Sequence, residues 1–149
     1  MITGRFGDTT GRPFLEGRLF FPRLHISGDI SLLLDTGADA SVIMPADAKR
    51  LSIPFDQLNG DNACCGLGGI VHCFTERAVL VFSDPKVALY AYELEIDIMQ
   101  DDAQMADVPS LVGRDIIDQW RMIYDPQHRK LQITVRSADM VFPLIPPKP

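Results

Sequence analysis

Short apolar runs separated by turn residues dominate the chain, and few stretches keep a helical period. Residues 19–26 and 30–34 flank Ser27-Gly28-Asp29 and predict a hairpin turning at those three residues. Residues 79–82 read as a short buried strand, Ser83-Asp84-Pro85-Lys86 as a turn, and Val87 as the start of a return strand. Near the end of that strand Leu94, Ile96 and Ile98 alternate with Glu93, Glu95 and Asp97, the period of a strand with one wet face. Two short helices are predicted. Residues 45–51 carry Pro45 in a first-turn position, and residues 114–120 space apolar side chains helically. Residues 121–124 and 131–135 bracket Asp125-Pro126-Gln127-His128 as a further hairpin. The sum is mainly β, a barrel or sandwich. Gly4, Gly7 and Gly11 predict a loose lead-in over 1–13, and Pro146-Pro147-Lys148-Pro149 a tail, leaving one domain over 14–145.

Composition narrows the class. With 149 residues, 46% hydrophobic and 23% charged, the chain can bury a core without staples, which excludes a disordered tail, a collagen repeat or a coiled coil. A net charge of -6 makes a nucleic-acid surface a poor expectation. No apolar run approaches the roughly 18 residues of a membrane span. The first residues lack the apolar core of a signal peptide, and three cysteines argue against a secreted disulfide scaffold. A soluble cytoplasmic protein is expected, with neither nucleic acid nor membrane as partner. Glu93, Glu95, Asp97, Asp101, Asp102 and Asp107 crowd together without Lys or Arg, and a solvated face is the plain reading, because the order of an EF-hand loop is missing.

Candidate chemistry begins at Leu32-Leu33-Leu34-Asp35-Thr36-Gly37-Ala38-Asp39, where an apolar strand runs into an acid, a hydroxyl and a glycine. Burying Asp35 there costs several kcal/mol unless it is hydrogen-bonded or shares a proton. Gly37 leaves room for another chain or a substrate to approach. Alone, the triplet is equally an Asx turn. Gly66-Leu67-Gly68-Gly69-Ile70-Val71 is a glycine-rich hairpin tip without the Lys-Ser/Thr ending of a phosphate loop. Pro109-Ser110-Leu111-Val112-Gly113-Arg114-Asp115 again leads apolar residues into a glycine and a helix.

In this order the three segments resemble the retropepsin-like aspartic proteases, and the hairpin after the second helix most resembles the retropepsin domain of the DNA-damage-inducible ubiquitin-shuttle proteins. The resemblance implies a closed β-barrel and an aspartic endopeptidase acting on polypeptides. Asp35 would be the catalytic acid, Thr36 would hydrogen-bond across a dimer, and Gly37 would contact substrate backbone. Ala38, Asp39 and a flap over residues 64–73 would hold substrate, with Cys65, Gly66, Leu67, Gly68 and Gly69 around the flap tip. Asp39 and Arg114 would brace the site, and Gly113, Arg114 and Asp115 would support it.

The chemistry requires two carboxyls, one as base toward water and one as acid toward the carbonyl oxygen. At a separation of about 3 Å and an effective dielectric of about 20, two charged carboxylates repel by roughly 5 kcal/mol. They therefore share one proton, as aspartic proteases are known to do. The chain has one Asp-Thr-Gly, since Asp8-Thr9-Thr10-Gly11 carries an inserted Thr, so the second acid is expected from a second copy in a homodimer. The rival reading is a catalytically idle dimeric module that binds peptides or supports assembly. No cofactor or metal is called for: His25, His72 and His128 lack metal-ligand spacing. Cys64 and Cys65 are neighbours, and a flap turning at Leu67-Gly68 sets Cys73 opposite Asn62, so free thiols are expected.

Overall fold

The computed structural model describes residues 1–58, 61–66, 69–100 and 105–144, with backbone only for 61–66 and 69–72. In chain order the strands and helices are β1 (Ile2–Thr3), β2 (Arg5–Phe6), β3 (Pro13–Phe21), β4 (Ile26–Leu34), β5 (Val42–Ile43) and α1 (Pro45–Arg50). A 3-10 turn (Phe55–Gln57) leads to β6 (Asp61–Gly66), β7 (Gly69–Asp84) and β8 (Ala88–Met99). Then come β9 (Leu111–Val112), α2 (Arg114–Ile117), β10 (Trp120–Asp125), β11 (Lys130–Val135) and β12 (Met140–Pro143).

Six of these strands close a ring. β3 pairs antiparallel with β4, β4 parallel with β9, β9 antiparallel with β5, β5 parallel with β8, and β8 and β3 both antiparallel with β7. Alternation in the sequence decides which side chains enter it: Leu15 and Leu19 from β3, Ile30 and Leu32 from β4, and Ile96 and Ile98 from β8 are all buried. A smaller sheet of β1, β11 and β10 packs beside the ring through aromatic contacts. Phe82 and Trp120 meet edge to face at 5.1 Å. The Trp120 indole donates to the Tyr92 hydroxyl (2.7 Å), which donates to the Ser137 carbonyl (3.0 Å), so the polar ends of both rings are satisfied. Burial pushes the Tyr92 pKa up, against the opposing pull of the Trp120 bond.

Four expectations are corrected. Ser27-Gly28-Asp29 lies inside β4, with Gly28 opposite Leu19, and the chain reverses instead at residues 22–25, where His25 takes φ 53°. Gly28 is small for a packing reason: a Cβ there would stand 2.3 Å from Leu51 Cδ2, at the end of α1. The first residues are not a loose lead-in, because β1 and β2 bring Ile2 and Phe6 into the core. The second helix is shorter than residues 114–120. The Gln119 carbonyl accepts from Arg136 (3.0 Å) and Ser137 (3.3 Å), and the chain turns into β10. The fourth concerns Cys73, taken up with the β6–β7 hairpin below. The Pro-rich tail lies outside the described residues.

Candidate active site

β4 carries an apolar run whose alternate residues Ile30, Leu32 and Leu34 are buried, and it delivers Asp35 to the end of the ring. Two bonds to the β9 segment fix that end. Leu33 N–H donates to the Ser110 carbonyl (2.8 Å) and Asp35 N–H to the Val112 carbonyl (3.0 Å). Beyond it the chain folds back on the acid, with Gly37 N–H donating to Asp35 Oδ1 (2.9 Å) and Ala38 N–H to the Asp35 carbonyl (3.2 Å). This is Asx-turn geometry. Asp35 is half-buried, while Thr36 and Gly37 are exposed.

The loop 35–41 is locked against the start of α2. Arg114 N–H donates to the Ala38 carbonyl (2.8 Å) and Asp115 N–H to the Asp39 carbonyl (3.1 Å). Gly113 is what lets the two backbones meet: a Cβ there would stand 2.6 Å from the Ala40 carbonyl carbon. The Asp115 carboxylate accepts the Ser41 N–H (2.9 Å) and the Ser41 hydroxyl (2.7 Å), whose oxygen accepts the Gly113 N–H (3.1 Å). Arg114 also pairs with Asp39, but that pair is exposed and contributes little beside the bonds of the buried Ser41. Sequence reasoning assigned Asp115 a supporting role and missed its partner. The available signal was a hydroxyl at 41 between apolar residues entering a strand.

Neighbouring polar groups extend the brace. The buried Ser110 hydroxyl accepts the Met44 N–H (2.8 Å) and donates to Asp47 Oδ2 (2.6 Å), tying the β9 segment to α1. One row of paired residues crosses the sheet here: Thr75 opposite Asp97, Asp97 opposite Val42, Val42 opposite Leu111, and Leu111 opposite Leu33, two residues before Asp35. Burial raises the Asp97 pKa, the Thr75 hydroxyl at 3.3 Å lowers it, and the charge of Asp115 raises it.

The β6–β7 hairpin has the predicted register. Gly66 pairs with Gly69, Cys65 with Ile70, and Cys73 with Asn62. Leu67 and Gly68, and the side chain of Cys65, lie outside what is described. The expectation of free thiols is corrected at Cys73, which is fully buried and disulfide-bonded. Direct opposition across a ladder is not the only route between cysteines of a hairpin, and the sequence holds two others, Cys64 and Cys65.

Among the described residues no group of three His, Cys, Asp or Glu side chains is placed to hold a metal, and no helix is long and apolar enough to cross a membrane. A groove of about 1040 Å³ lies elsewhere, on the outer face of β3, β7, β8 and β12, lined by Phe20, Val79, Val81, Leu89 and Phe142 and by no predicted site residue.

No family model and no curated protein matches the chain. Solved structures do. EIAV protease complexed with the inhibitor HBY-793 aligns at 21% identity and TM-score 0.49, over 75% of this chain and 90% of that one. A retropepsin-like aspartic protease from Rickettsia conorii aligns at 15% identity and TM-score 0.52, over 97% of this chain and 92% of that one. With its six-strand ring and the hairpin that follows, this chain has the retropepsin-like fold.

Proposed function

We propose that the chain is an aspartic endopeptidase that hydrolyses polypeptides, with an active site completed by a second copy. The observation that carries this reading is the setting of Asp35. Its backbone is pinned on both sides while Thr36 and Gly37 stay exposed, so a rigid edge with an accessible carboxyl is offered to a partner. A water held between the two Asp35 carboxyls would lose a proton to the ionised one, while the protonated one gives its proton to the substrate carbonyl oxygen. Thr36 would bond across the two-fold axis, and Gly37, Ala38 and Asp39 would line the substrate backbone. The flap over residues 64–73 would cover the cleft with Leu67 and Gly68 at its tip. Gly113, Arg114 and Asp115 would hold the loop. The β10–β11 hairpin after α2 supports the likeness to the DNA-damage-inducible ubiquitin-shuttle proteins.

The test uses mixed subunits. Wild-type chain is incubated with an unbiased peptide library while Asp35→Asn chain is added in excess. Cleavage should fall by more than dilution explains, because mixed dimers hold one acid and one amide. It should also fall when wild type alone is diluted below its dissociation constant. A sedimenting monomer with full activity would overturn the two-chain site, and absence of cleavage under all conditions would favour the idle module.

A further inference from the structure

We propose that Arg23 is a positioning residue for the flap, one guanidinium clamping both feet of the β6–β7 hairpin; this rests on the protease reading and assigns that site a further part. Arg23 sits in the turn between β3 and β4. Its Nε donates to Glu76 Oε1 (2.9 Å) and its Nη2 to Glu76 Oε2 (2.5 Å), and Nη2 also donates to the Gln57 carbonyl. These two partners bracket the hairpin. Gln57 ends the 3-10 turn that precedes β6, and Glu76 stands two residues beyond Phe74, which pairs with Asp61 in the first rung. The hairpin therefore leaves the body between two points held by the same side chain.

Burial gives the clamp its direction. The Glu76 side chain is 3% exposed, and a buried carboxylate requires a partner that meets both oxygens. A planar fork meets them and still reaches a carbonyl; an ammonium is a point charge and cannot span the same three acceptors. The turn that carries Arg23 is itself seated, because Leu24 packs against the core. Phe55 and Phe74, one at each foot, meet edge to face at 5.5 Å and close the same gap from the apolar side. Arg77, the next cation along β7, is paired with Glu93 on β8. Arg23 thus sets the angle at which the hairpin stands, and through it the fraction of molecules ready to receive substrate.

The experiment compares wild type with Arg23→Lys and Arg23→Gln. Amide hydrogen exchange is read in β6 and β7 and, as internal reference, in β10 and β11, together with KM and kcat on a cleaved peptide. Lys keeps the charge beside Glu76, so a merely structural role is rescued by it. The clamp is not. In both variants exchange in the β6–β7 rungs should rise about tenfold while β10 and β11 stay unchanged. KM should rise about fivefold with kcat within about twofold, because fewer molecules hold the competent pose. Unchanged exchange at the hairpin in the Lys variant, equal acceleration in both hairpins, unchanged KM, or failure of both variants to fold each overturns the proposal. The exchange measurement needs no catalysis. If wild type cleaves nothing the protease reading fails, and the exchange comparison alone decides whether Arg23 clamps the hairpin.

Discussion

The loop around Asp35 and the β6–β7 hairpin are held in opposite ways. Asp35, Ala38, Asp39 and Ser41 are bonded to residues 112–115, through backbone amides and the Ser41 and Asp115 side chains. In β6, by contrast, the described residues have one neighbouring strand, β7, and Arg23 ties the hairpin to the body at its feet. The first arrangement is the kind that the proposed proton transfer at Asp35 would require, since it fixes the position of the carboxyl. The second fixes the hairpin at its base, through Arg23, Glu76 and the Gln57 carbonyl. Changes to the loop should therefore act on chemistry and stability together, and changes to the hairpin mainly on substrate binding.

The largest effect is expected at the acid itself. Asp35→Asn should lower peptide cleavage by about 10²–10⁴-fold or more, since it removes the group that exchanges the proton. A near-isosteric amide at a half-buried position should leave the denaturation midpoint almost unchanged. Cleavage at the wild-type rate would remove Asp35 from the chemistry. Next comes Gly113→Ala, which forces a Cβ against the Ala40 carbonyl and should cost about 1–3 kcal/mol in urea unfolding, with activity lost in parallel. Stability within error of wild type would show that the two backbones can separate freely. Ser41→Ala leaves the Gly113 N–H and one Asp115 oxygen without their partner, at about 1–3 kcal/mol. Its cost should exceed that of Asp39→Ala, which breaks only an exposed pair; the reverse order would reassign the brace to Arg114.

The smallest effect is a pH dependence at Asp97. Its carboxyl is raised above its ordinary 3.8 by burial, so the folded chain holds this proton more tightly than the unfolded chain does. The stability it contributes is present at acid pH and is lost as pH rises through the folded pKa. Asp97→Asn should therefore be more stable than wild type at neutral pH, with the gap narrowing below about pH 4. Thermal unfolding across pH reads this directly, and a gap that widens in acid would contradict the cause assigned.

The sequence made some features readable and hid others, for physical reasons. The apolar run ending at Asp35 is local, and so is the Gly66-to-Gly69 turn that sets Cys73 opposite Asn62. Both were legible. The β3–β4 turn was misplaced because the glycine at 28 answers to Leu51, a contact made only once α1 packs on the strand. Strands of two residues, such as β1 and β2, are too short to show a period, and their burial depends on partners far along the chain. The end of α2 is set by Arg136 and Ser137 taking the Gln119 carbonyl, which no local signal announces. The Ser41–Asp115 brace joins residues far apart, so each half looks ordinary alone. The Cys73 disulfide is hidden because the hairpin register sets Asn62, not a cysteine, directly across from it.

That same brace determines when the site comes into being. Ser41 and Asp115 are separated by 74 positions. Bringing such ends together costs about 4 kcal/mol of chain entropy before any contact rewards it. Long-range pairings of this kind slow folding and form late. During synthesis, the loop that presents Asp35 stays unassembled until residues beyond Asp115 have emerged. An incomplete chain therefore carries the Asp-Thr-Gly triplet without the rigid edge that residues 112–115 give it in the folded chain.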